Sequence, residues 1–101
     1  MNNDQDQFNI LNALDKNKDT TQRKLANMLG FSLGKLNYLL KALNKKGLIK
    51  IKRFKKNKNK IGYFYTLTPI GISKRTKMAL SFMKKKMKEY EELKKNISNY
   101  N

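Results

Sequence analysis

Two glycines set between leucine-rich segments constrain this chain more than any other feature. Gly30 follows Leu25, Ala26 and Leu29, and Gly47 follows Leu36, Leu39, Leu40 and Leu43. Each group places its apolar residues on one helix face. Glycine takes the left-handed conformation without steric cost, so both positions end a helix. Thr21 and Ser32 stand where N-caps are needed, since a hydroxyl there accepts from an unpaired N–H of the first turn. The spacing predicts a helix over Gln22 to Leu29 and a second, capped by Ser32, reaching about Lys46. Upstream, Phe8, Ile10, Leu11 and Leu14 predict a helix over about Asp6 to Asp15, followed by the polar connection Lys16 to Asp19.

After Gly47 the periodicity changes from helical to two. Ile49 and Ile51 alternate with Lys50 and Lys52, and Ile61, Tyr63, Tyr65 and Leu67 repeat the alternation. Strands are expected over Leu48 to Phe54 and Ile61 to Leu67, with Lys55 to Lys60 as a polar loop between them. Thr68 and Pro69 open the last helix, and nothing after Gly71 breaks it before about Ile97. Its 29 residues would measure roughly 43 Å, longer than so small a core can cover. Ile70, Ile72 and Ala79 are expected to pack on their own domain. Leu80, Met83, Met87, Tyr90 and Ile97 then recur at alternating steps of three and four, broken by Lys94 with Leu93 beside the gap. Such a seam indicates a helix-to-helix contact, so Leu80, Met83, Met87, Tyr90, Leu93 and Ile97 are assigned to dimerisation. The run Lys84 to Lys88 would suit a membrane surface in another setting, but Glu89, Glu91 and Glu92 follow directly and oppose anionic lipid.

Charge narrows the partner. Between Asp19 and Glu89 there is no acidic residue, while 20 of the 24 Lys and Arg lie there, and the net charge is +17. An A+T-rich coding sequence would account for 21 Lys and 13 Asn, but not for the missing acids. So one-sided a stretch repels itself unless a polyanion is its partner, and nucleic acid is the expectation. The 101 residues fit one core with little room for a deep pocket. Without Cys or His, thiol and imidazole catalysis and thiolate zinc sites are removed. Enzymatic activity, a metal site and a cofactor are therefore not expected. The polar, acidic start and the lack of a run of about 18 apolar residues point to a cytoplasmic, nucleoid-associated protein.

The segment Gln22 to Lys46 has the pattern of a helix-turn-helix: Ala26 is small where the helices cross, Gly30 sits in the turn, and Leu25, Leu36 and Leu39 hold the angle. An ordinary helical hairpin would share the leucines, but the basic hairpin that follows makes this the winged variant. The expected fold is mainly α with a small β-hairpin: a winged helix-turn-helix over residues 1–68, with a long C-terminal dimerisation helix over 69–101 packed on it. Setting aside the buried leucines leaves Ser32, Leu33, Gly34, Lys35, Asn37, Tyr38 and Lys41 on the outward face of the second helix. That face is the candidate for the major groove. Asn37 has the amide to pair with adenine, and Lys35 the amine to reach guanine O6 or N7. Tyr38 and Lys41 suit phosphate equally well, and Gly34 would allow a close backbone approach. The competing reading of each is a solvated face. Arg23, Arg53, Lys55, Lys56, Lys58 and Lys60 are candidates for the wing and backbone contacts, to flanking phosphates or an A+T-rich minor groove.

Leu43 to Ile49 resembles the junction between recognition helix and strand in MarR-type regulators, and Leu67 to Gly71 resembles their helix start after the wing. The nearer resemblance is to short MarR-like regulators associated with exopolysaccharide gene clusters. It is carried by Thr21 to Ala26, Ser32 to Leu43, Asn59 to Tyr63 and Lys86 to Tyr90. It implies a bacterial dimeric regulator, with the second helix of the motif in the major groove and the hairpin as wing, on double-stranded DNA with an inverted-repeat site. The chain is shorter than ordinary MarR proteins and lacks the Asp and Arg of their wing between Lys55 and Tyr63. Neither their effector pocket nor their wing contacts carry over, and a small-molecule effector stays an open question. Two other readings of the same charge remain: a winged helix that binds RNA, and a nucleoid-type protein with little sequence choice.

Overall fold

The structure, a computed structural model, describes residues 4–98. Six elements follow one another: α1 (Asp4–Lys16), α2 (Gln22–Leu29), α3 (Leu33–Lys45), β1 (Ile49–Asn57), β2 (Lys60–Leu67) and α4 (Pro69–Ser98). Their ends have local causes. Thr21 Oγ1 accepts from Lys24 N at 3.3 Å, and Ser32 Oγ from Lys35 N at 3.2 Å. Gly30 and Gly47 take φ of 69° and 75°, as C-terminal stops do. α1 starts two residues before the expected point, with Asp4 and Asp6 in its first turn, where exposed N–H groups favour negative charge. α3 ends one residue early, at Lys45.

The core is one cluster: Ile10, Leu11 and Leu14 from α1, Leu25 and Ala26 from α2, and the four leucines of α3. Leu48, Ile49, Tyr65 and Met78 close it from the hairpin base and α4. Thr20 ties the start of α2 to this base. Its N–H donates to Tyr65 O at 3.3 Å, and Tyr65 N–H returns a bond to Thr20 O at 2.8 Å.

The hairpin corrects the expected loop. Lys55 to Asn57 and Lys60 belong to the strands, leaving only Lys58 and Asn59 in the turn. The ladder pairs Phe54 with Gly62, Lys55 with Ile61 and Asn57 with Lys60. This end of the ribbon stands clear of the core, so backbone hydrogen bonding continues where side-chain alternation no longer reports burial. Phe54 helps hold it: its ring stacks on Phe64 with centroids 4.1 Å apart. It also fills the space over Gly62, where a Cβ would lie 2.2 Å from Phe54 Cζ. An aromatic covering a strand glycine is a known device for keeping ribbon register.

α4 is fixed at its start. Thr68 Oγ1 donates to Gly47 O at 2.7 Å and accepts from Gly71 N at 3.0 Å. Farther along, Phe82 meets Phe8 of α1 edge-on at 5.2 Å. The inward positions are Gly71, Arg75, Met78 and Phe82, at the steps of four and three that define one face. Ile70 and Ile72 stand about 100° to either side of Gly71. They are 65% and 45% exposed, against the expectation that they pack on the domain. From Met83 to Ser98 every residue is exposed, and this projecting half gives the chain its 71 Å long axis beside cross-sections of 26 and 24 Å.

Candidate nucleic-acid interface

α3 has a fully apolar inner side, so its outer side is available. Leu36, Leu39, Leu40 and Leu43 are buried, while Ser32, Leu33, Gly34, Lys35, Asn37, Tyr38 and Lys41 are all exposed. Tyr38 is 66% exposed and Leu33 57%. No acid lies within α3. Around Gly34, the position a Cβ would take has no neighbour within 4 Å, so the backbone there is bare to an incoming ligand. Among the described residues the Asn37 side chain makes no hydrogen bond, and its amide is free for two-point pairing.

Lys35 differs from its neighbours. Its Nζ lies 3.0 Å from Asp6 Oδ2 of α1 and 4.4 Å above the centre of the Phe31 ring. Both contacts hold the amine at the α1 edge of the face. An exposed ion pair contributes only about 0–1 kcal/mol, so the amine can be drawn away, but a base contact would have to displace two partners. Local pattern carries no sign of this contact, because Asp6 is far along the chain and belongs to another helix.

Arg53, Lys55 and Lys58 of the wing are exposed, as is Arg23 on α2. The side chains of Lys56 and Lys60 lie outside the described residues. Arg53 pairs with Tyr63 and Lys55 with Ile61, so these cations share a strand face with Ile51, Ile61 and Tyr63, all exposed. Thr21, Gln22 and Arg23 face Ile61, Gly62, Tyr63 and Tyr65 across an open cleft of about 460 Å³. Sequence alternation put Ile61 and Tyr63 on one face of their strand with Tyr65 and Leu67. They share that face with buried Tyr65, but the ribbon has outgrown the domain by the time it reaches them. Burial pushes the Tyr65 hydroxyl above its ordinary value, and Tyr63 adds to the shift, so Tyr65 stays neutral near pH 7. Ion pairs join Lys35 to Asp6, Arg75 to Asp15 and Lys86 to Glu89. Among the described residues none engages Arg23, Arg53, Lys55 or Lys58.

Cations left unpaired in this way should show in the salt dependence of binding. Each phosphate contact contributes about 0.9 to the slope of log affinity against log salt. Replacing Lys55 and Lys58 by Gln is expected to flatten that slope by up to about 1.8 and to weaken all duplexes alike. An unchanged slope in a salt titration would remove the wing from the interface.

Residues 4–50 match a family model described as winged helix-turn-helix DNA-binding. Among solved structures, the chain is similar to the PcaV transcriptional regulator of Streptomyces coelicolor, at 19% identity and a TM-score of 0.70, covering 77% of this chain and 56% of that one. It is also similar to ZitR, a zinc-responsive MarR family member of Lactococcus lactis, at 28% identity and a TM-score of 0.63, covering 86% and 58%. CouR, a transcriptional repressor bound to a 23-mer DNA duplex, matches at 25% identity and a TM-score of 0.64, covering 71% and 49%. The chain thus spans about half the length of these proteins. No protein of curated function matches its sequence. Fold and local sequence together give this chain a winged helix-turn-helix fold, similar in architecture to these regulators.

Proposed function

We propose that the chain is a transcription regulator that binds duplex DNA by sequence, as a homodimer, with α3 in the major groove and the β1–β2 hairpin as wing. The observation that carries this is the outer face of α3: bare backbone at Gly34, a free amide at Asn37, exposed Leu33, Tyr38 and Lys41, and no acid in the helix. The DNA-bound state of CouR supports the same use of the fold here, and repression by occupying an operator is the simplest mode. Leu80, Met83, Met87, Tyr90, Leu93 and Ile97, each about half exposed or more, are the proposed dimer seam. Resemblance alone points to surface-polysaccharide genes as targets.

Selection of bound fragments from random duplexes tests the reading. The expected site is an inverted repeat with half-site centres about 34 Å apart, one helical turn. On that site Asn37→Ala should cost about 1–3 kcal/mol, and much less on random DNA. Lys35→Ala should cost less than Asn37→Ala, because Asp6 and Phe31 already hold the amine. Equal losses on selected and random DNA would make Asn37 a phosphate contact. Enrichment of no sequence at all would favour the nucleoid-type reading.

A further inference from the structure

We infer that α4 pairs with α4 of a second copy in antiparallel orientation, with the two-fold axis crossing between Met87 and Tyr90. This rests on the homodimer reading above and adds its direction and register.

The apolar positions Leu80, Met83, Met87, Tyr90 and Ile97 follow the three-four spacing of a two-helix seam. Among the described residues little of the chain's own domain covers them, since Leu80 is half exposed and every residue from Met83 to Ser98 is exposed. Charge then chooses the direction. Lys84, Lys85, Lys86 and Lys88 form one block, and Glu89, Glu91 and Glu92 form the next. A parallel pair would set lysine block beside lysine block, and would place Lys94 against Lys94 of the partner subunit within the seam. An antiparallel pair sets each lysine block beside a glutamate block. With the axis as stated, Leu80 faces Ile97 of the partner subunit and Met87 faces Tyr90 of the partner subunit. Met83 meets Lys94 of the partner subunit, whose methylene stem can lie over the thioether while its amine reaches water. Lys86 is held by Glu89 of its own helix at 3.6 Å. That leaves Lys84 to approach Glu91 of the partner subunit, and symmetry repeats the pair.

The chain has no cysteine, which makes cross-linking a clean test. Leu80→Cys and Ile97→Cys are made separately in the full chain and oxidised alone and as an equimolar mixture. The mixture is expected to form a covalent dimer, while neither variant does so alone. Disulfides formed by each variant alone would overturn the antiparallel pairing and leave the dimer standing. Wild-type chain that sediments as a monomer at micromolar concentration would overturn both. Lys84→Glu and Glu91→Lys leave the apolar seam intact and serve as the second measurement. Each alone should weaken self-association about tenfold, and mixing the two should restore it, because each then meets an opposite charge. Failure of the mixture to recover would also overturn the register.

Discussion

Replacing Gly71 by alanine is expected to destabilise the chain by about 3 kcal/mol or more. An ideal Cβ at this position would lie 2.0 Å from the backbone oxygen of Leu48 and 2.9 Å from Leu67 Cδ1. The first contact cannot be relieved by rotating a side chain. Leu48 O already accepts from Thr68 N at 3.1 Å, and Thr68 Oγ1 grips Gly47 O next to it. Either α4 must lift from β1, breaking those bonds, or β1 must shift within the core that Leu48 and Ile49 help to close. For a domain of this length the cost corresponds to a fall in Tm on the order of 12–24 °C. Gly34→Ala is the control. Its Cβ would meet nothing within 4 Å, and in this first turn of α3 alanine gains at most the roughly 0.5–1 kcal/mol it has over glycine in a helix interior. Thermal melts followed by circular dichroism compare the two. A Gly71→Ala variant melting within a few degrees of wild type would mean that the approach of α4 to β1 is not rigid.

Gly71 was legible in the sequence only as part of a helix start, and that is typical of what local pattern reveals. Caps and stops act within a few residues, so Thr21, Ser32, Gly30, Gly47 and Thr68 marked the helix ends to within two residues. Leucine spacing marked the inner faces of α2 and α3, and with them the outer face of α3. Alternation failed at the hairpin because it reports burial rather than hydrogen bonding, and Lys55 to Asn57 extend a ribbon that has no core beneath it. Ile70 and Ile72 misled for the opposite reason. They are apolar, but the close approach at Gly71 fixes the rotation of α4 and turns both outward. The Asp6–Lys35 contact was out of reach because it joins two helices whose packing is decided by the whole core. It is a second reason, beside the two-point geometry of an amide, to expect Asn37→Ala to cost more than Lys35→Ala.

Placing Lys at both Met83 and Met87 is expected to give a monomer that keeps its fold and loses most of its affinity for a full site. The two positions are 52% and 59% exposed and lie beyond Phe82, the last residue of α4 packed against the core cluster. Lysine there removes nothing from the domain itself. In a dimer the same positions sit at the centre of the seam, where each large apolar side chain withdrawn from water contributes roughly 1.5–3 kcal/mol. Two lysines per chain would forfeit that burial and set four like charges together in the pair. Without the seam the second half-site is no longer bound as an intramolecular step. Loss of such linkage costs about 10²- to 10⁴-fold in apparent affinity, while binding to a single half-site should change little. Sedimentation and light scattering read the oligomeric state, circular dichroism the helix content, and titration on full and half sites the affinity. A variant that stays dimeric, or a monomer that binds the full site as tightly as wild type, would remove this seam from the mechanism. The face of α3 would then have to account for the whole of the affinity from one domain.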